Sequence, residues 1–161
     1  MKFKVGDKSV HPHHGVGEVT AIEAKEIAGS ETTFYTLKLV DNGMKVMVAQ
    51  DAAERLGLRK VISRKQAKLV VDVLRERTIA VTSQPWNRRH REYTDMLHSG
   101  SLFEVAKVLR DLSMIKADKD LSFSERGLLE KAHTLLVTEL AVSRRCKEAL
   151  VEGEIEEILA V

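Results

Sequence analysis

Cysteine is almost absent. The 161 residues contain only Cys146, which excludes an internal disulfide framework and fits a reducing compartment. Long apolar runs are absent as well. The longest, LVVDVL and LLVTELAV, fall far short of a membrane span. The opening MKFKVGDKSV has no hydrophobic stretch of secretory type. A cytoplasmic protein is expected. Aromatic residues make up only 4% of the chain: four phenylalanines, two tyrosines and one tryptophan. There is no phosphate-binding loop, no GxSxG, no HExxH, no paired CxxC and no glycine fingerprint after a strand. No enzyme and no cofactor are expected.

Two small features could still carry chemistry. His11, His13 and His14 sit in HPHHG, but zinc sites usually draw on three or four ligands and the lone cysteine lies in the other domain. The other histidines, His90, His98 and His133, fall in the later, helical half. A turn shaped by Pro12 and Gly15 accounts for the cluster, and no metal is expected. Cys146 has Arg144, Arg145 and Lys147 as neighbours, which would favour a thiolate. Without an identifiable base beside it, the thiol is read as inert.

Charge is present in quantity but unevenly placed. The total is +2. Residues 1–58 hold 7 basic and 8 acidic side chains, residues 59–91 hold 10 and 2, and residues 92–161 hold 9 and 14. The middle block therefore carries +8, which makes a polyanionic partner plausible where the whole-chain charge would not. A solvated helix face accounts equally well for such a block.

The pattern changes near residue 58. Before it, strand-like runs at Lys8–Val10, Gly17–Ile27, Thr33–Val40 and Met44–Gln50 alternate with the turn residues AGSE and DNG. DAAERLG reads as one or two helical turns stopped by Gly57. This suggests a small, strongly bent barrel of SH3 or Tudor type. After it the periodicity is helical. Ser63 caps a helix to about Arg77 with Leu69, Val70, Val73 and Leu74 as its stripe. A helix starts near Pro85, and capping boxes at Ser101–Glu104 and Ser122–Glu125 open two more. A last helix runs from about Cys146 to Leu159. The expected fold is α+β with two domains: a β-barrel at 1–58 and an all-α five-helix domain at 59–161.

The segment SQPWNRRHREY places the one tryptophan, Trp86, among Arg88, Arg89 and Arg91. On a helix Trp86, Arg89 and Tyr93 share a face at spacings of three and four. Guanidinium groups pair with phosphate oxygens, and an indole can wedge at a base step. A tryptophan packed between helices, with its arginines in water, satisfies the same spacing. Both readings stand on the residues alone.

The blocks FKVGDKSVHPHHGVGEVTAIEAKEI, GLRKV, WNRRHREY and EVAKVLRDL, in this order, resemble the CarD/CdnL family of bacterial transcription regulators. The resemblance covers nearly the whole chain. It implies a Tudor-like domain that binds the RNA polymerase β subunit, joined to a helical DNA-binding domain. It further implies that the helical domain meets promoter DNA at the upstream edge of the melted bubble, with Trp86 in the minor groove and Arg88, Arg89 and Arg91 on the backbone. Polymerase contacts are implied at Lys25, Ile27 and Met47, by strand addition or packing. Met47 and Ala49 depart from the arginine and proline found in relatives. Open-complex stabilisation, with ribosomal RNA and growth-linked promoters among the targets, and a monomeric state are the corresponding expectations. Tenfold slower bubble collapse requires about 1.4 kcal/mol, within the roughly 1–3 kcal/mol of a base–aromatic stack. The alternative is a Tudor- or SH3-like module that binds RNA or a ribosomal partner without promoter activity. It would want surface aromatics on the strands, whereas adjacent Phe34 and Tyr35 cannot both face outward.

Overall fold

Alternating apolar and polar residues between glycine-bearing turns produce the strands of the first half. The computed structural model describes residues 2–79 and 86–160, apart from the side chains of Trp86 and Asn87. Its strands are β1 (Lys8–His11), β2 (Gly15–Ile27), β3 (Ser30–Leu39), β4 (Lys45–Ala49) and β5 (Arg59–Lys60), with the short helix α1 (Ala53–Leu56) before β5. All pairings are antiparallel, in the order β4-β3-β2-β1-β5. Among the described residues no pairing joins β4 to β5, so the element is an antiparallel five-stranded sheet that is open in its hydrogen bonding.

The β2–β3 ladder is long because its turn is as tight as a hairpin allows. Ile27 pairs with Ser30, leaving only Ala28 and Gly29, both at positive φ (53° and 81°). Two such residues make a type I′ turn, whose twist matches the strands. A register shift between Val19 and Ala21 inserts Thr20 as a bulge, which bends β2. One face of the bent sheet then closes over Phe3, Val19, Tyr35, Leu37, Val48, Ala53 and Leu58. Phe3 meets the Tyr35 ring edge-on at 5.8 Å, and the Phe3 N–H and Gln50 Nε2 both donate to the Tyr35 hydroxyl.

The chain divides into two compact units, Met1–Val61 and Ile62–Val161. This division falls three residues after the expected 58/59 boundary. Arg59 and Lys60 pair with Val10 and Ser9, and that backbone pairing, invisible to hydrophobic periodicity in two basic residues, holds them on the sheet.

The second unit contains α2 (Arg64–Arg75), α3 (Trp86–Leu97), α4 (Leu102–Asp118), α5 (Phe123–Arg144) and α6 (Glu148–Leu159). Complete capping boxes open α2, through Ser63 and Gln66, and α5, through Ser122 and Glu125. The box expected at Ser101 does not form: the Ser101 side chain makes no cap bond, and Glu104 turns to Lys107 at 3.0 Å. Pro85, expected in the first turn of a helix, lies outside the described residues. The core gathers Val70, Leu74, Tyr93, Val108, Leu112, Leu136 and Leu140. Leu69, expected on the buried stripe of α2, is 50% exposed, and Ala67 and Val71 face inward instead. The start of α2 is tied to α5 by its backbone: the Ile62 N–H donates to Glu139 Oε2 at 3.0 Å, and Ser143 Oγ donates to the Ile62 carbonyl at 2.7 Å. Among the described residues no helix is long and apolar enough to cross a membrane.

Candidate functional site

Helix α3 is built on a four-residue spacing. Arg89, Tyr93 and Leu97 follow one another on one face, with Tyr93 and Leu97 buried and the Arg89 side chain 20% exposed. Arg88, Arg91 and Asp95 alternate at spacings of three and four on the other face and are exposed. The arginines that the sequence groups together are therefore split by helix geometry. Two point to solvent and one points inward.

The inward face is held by polar bonds as well as apolar contact. Arg89 reaches Glu125 at 3.4 Å, and Glu125 is the capping-box carboxylate of α5, with its side chain 7% exposed. The Tyr93 hydroxyl donates to Asp111 Oδ2 at 3.1 Å. Asp111 Oδ1 accepts from Nε and an NH2 group of Arg110, and Arg110 also reaches Glu76 at 2.8 Å and the Val73 carbonyl at 3.3 Å. Arg110 and Asp111 are both buried. Burial, together with the Asp111 carboxylate, pushes the Tyr93 phenol well above its ordinary value, so the hydroxyl remains a donor. These bonds link α3 to α4 and α5, and α4 to the end of α2. Phe123, in the first turn of α5 beside Ser122 and Glu125, is 85% exposed. Neither Glu125 nor Phe123 was singled out by sequence as part of this surface. The capping box pointed to Glu125 as a helix start, but nothing local said that it would face an arginine 36 residues away.

In the sheet unit, register decides which residues share a face. Met47 pairs with Thr36, which pairs with Ala21. Lys25 pairs with Thr32, and Ile27 with Ser30. Directly opposite residues point to the same side and alternate residues do so along a strand. Lys25, Ile27 and Met47 thus lie on one outer face, together with half-buried Phe34, while Tyr35 points into the core. Ile27 and Met47 are 52% and 45% exposed, and Lys25 Nζ lies 3.8 Å from Met47 Sδ. Strand β4 stands at the edge of the sheet order, so its outer backbone groups are available for strand addition.

The histidine cluster is a turn. The His13 N–H donates to His11 Nδ1 at 3.1 Å, and the His11 ring lies 4.7 Å from His14 and 5.9 Å from His13. Burial and the two neighbouring imidazoles lower the His11 pKa to about 4. Among the described residues no group of three or more His, Cys, Asp or Glu is placed to hold a metal ion. Cys146 is half-buried at the turn before α6, and Arg144 pairs with Glu154 on α6.

Comparison with known proteins matches both halves of the chain in order. Residues 3–62 match the CarD-like/TRCF RID domain, and residues 69–156 match the CarD C-terminal domain. The chain belongs to the CarD family of transcription factors. YdeB of Bacillus subtilis (strain 168), provisionally named a transcription factor, is 29% identical over 151 residues, which cover 94% of this chain and 98% of YdeB. Two solved structures from Myxococcus xanthus also match. The N-terminal part of CdnL is 45% identical, covering 40% of this chain and 90% of that one, with a TM-score of 0.35. The 72-residue N-terminal domain of CarD is 41% identical, covering 37% and 79%, with a TM-score of 0.33. The first match ends at residue 62, within one residue of the division after Val61, and the second lies wholly in the helical unit.

Proposed function

We propose that this CarD family member is a bacterial transcription regulator that joins RNA polymerase to promoter DNA. The sheet unit, a bent module of Tudor type, docks on the polymerase β subunit through the outer face bearing Lys25, Ile27 and Met47, with the β4 edge offered for strand addition. The helical unit meets the upstream edge of the bubble. Arg88 and Arg91 pair with phosphates, Trp86 enters the minor groove, and Arg89 belongs to the same basic segment. Phe123, exposed in the first turn of α5, offers an aromatic ring on the same unit. The observation that carries the reading is the outward pair Arg88 and Arg91 on a helix that begins at Trp86 and is fixed from within by Tyr93.

The mechanism is a matter of rates. The factor acts as a monomer in the cytoplasm, carried to the nucleoid by polymerase, and has no catalytic group of its own. Phosphate contacts position the helix without reading sequence, so binding to free DNA is weak and tethering to polymerase supplies the local concentration. An aromatic ring at the edge of the bubble then opposes reannealing. About 1.4 kcal/mol in favour of the open state slows collapse tenfold. Ribosomal RNA and growth-linked promoters are the expected targets.

The test is the lifetime of the open complex on a ribosomal RNA promoter, with cognate polymerase and a competitor. Wild type should lengthen it, and Trp86→Ala should lose most of that effect while still binding polymerase. Equal lifetimes with wild type and Trp86→Ala would refute the wedge.

A further inference from the structure

Glu125 divides its two carboxylate oxygens between two tasks. Oε1 accepts the Ser122 N–H at 3.0 Å and closes the capping box of α5. Oε2 accepts from the Arg89 guanidinium at 3.4 Å. The acid is 7% exposed and the arginine 20%. A pair so placed is screened little by salt, and each charge largely cancels the other at a distance. Arg88 and Arg91, by contrast, are exposed on the other face of α3.

We propose that Glu125 sets the effective charge of the DNA surface by holding Arg89 as an internal counter-ion, so that Arg88 and Arg91 contribute to phosphate binding and Arg89 does not. The assignment rests on the function proposed above and refines it: Arg89 is taken up by an internal pair with α5, while α3 itself is held by the buried Tyr93–Asp111 bond. The location of Arg89 also lets the helix approach a polyanion with two outward cations rather than three, which limits binding to DNA away from polymerase.

The protein itself supplies the variant that tests this. Its α2 capping box uses glutamine, with Gln66 Oε1 accepting the Ser63 N–H at 3.0 Å. Glu125→Gln therefore keeps the cap while removing the charge. The readout is the salt dependence of binding to a labelled forked DNA duplex by the full chain, with a thermal melt to confirm folding. Each phosphate contact contributes about 0.9 to the slope of log K against log salt. Arg88→Gln and Arg91→Gln should each flatten the slope by about that amount. Arg89→Gln should leave it unchanged. Glu125→Gln should steepen it by up to about 0.9, an extra loss of roughly threefold in affinity across a fourfold rise in salt. Adding Arg89→Gln to Glu125→Gln should restore the wild-type slope. Two results would overturn the assignment: Arg89→Gln flattening the slope as much as Arg88→Gln, or a folded Glu125→Gln leaving it unchanged. The Arg89→Gln arm decides the matter even if Glu125→Gln does not fold. If Arg88→Gln and Arg91→Gln have no effect on the slope, the DNA surface is not on α3, and that failure belongs to the function reading itself.

Discussion

Removing the Tyr93 hydroxyl tests how α3 is held. In Tyr93→Phe the ring keeps its volume among buried neighbours, so no cavity opens and the change isolates one bond. That bond joins a buried phenol to a carboxylate with no exposed surface, 3.1 Å away. Hydrogen bonds to charged groups are worth about 1.5–3 kcal/mol, and a buried acceptor that loses a donor pays its own desolvation. Asp111 keeps its bonds from Arg110, which places the expected loss near 2 kcal/mol, toward the lower end of that range. Urea unfolding followed by near-ultraviolet dichroism would register it as a fall in midpoint of about 1 M, given slopes of roughly 1–3 kcal/mol per molar. Because the phenol pKa is raised by burial first and by Asp111 second, the hydroxyl stays protonated and the loss should not vary between pH 6 and 9. A double-mutant cycle with Asp111→Asn should show coupling of about 1 kcal/mol or more. A Tyr93→Phe protein within about 0.5 kcal/mol of wild type would refute the claim that this bond anchors the helix.

Three further outcomes follow from backbone and charge. Gly57 ends α1 at φ 89°, and a Cβ there would lie 3.0 Å from the Pro12 ring; Gly57→Ala should cost at least about 1 kcal/mol in the same urea assay. Ala28 holds a left-handed conformation (φ 53°) in the β2–β3 turn, where Asn-Gly is the preferred pair, so Ala28→Asn should raise stability by about 0.5–1 kcal/mol. The lowered pKa of His11 means that the fold prefers the neutral ring while the unfolded chain takes up a proton near 6.5. Its contribution to stability is complete above pH 6.5 and is lost as pH falls toward about 4. The His11 resonance should titrate near 4 by NMR, and a midpoint near 6.5 would contradict the half-buried placement beside two other imidazoles.

Much of the molecule is legible from local pattern. Alternation and turn residues locate β1 to β4, and the cap at Ser63 and the capping box at Ser122 fix the starts of α2 and α5 to the residue. These signals survive because they depend on neighbours within four residues. The same logic located Ser101 at the start of α4 but expected a box that does not close, because Glu104 has a nearer cation in Lys107, and it put Leu69 on the buried stripe of α2, where it is half exposed. β5 escaped notice because two basic residues carry no apolar signal and become a strand only through the free edge of β1.

Local sequence determined where the basic residues are concentrated, where β1 to β4 and the longer helices lie, and that Trp86 stands among arginines. It did so because composition, periodicity and capping are properties of short stretches. Packing then settled where the arginines point. It turned Arg89 onto Glu125 and left Arg88 and Arg91 in solvent, because α5 lies against only one face of α3. It likewise brought Lys25, Ile27 and Met47 to one surface, because the register of β2, β3 and β4 puts them on the same side of the pleat. Charge is written residue by residue, but whether a charge meets solvent or a buried partner depends on which element the fold packs beside it.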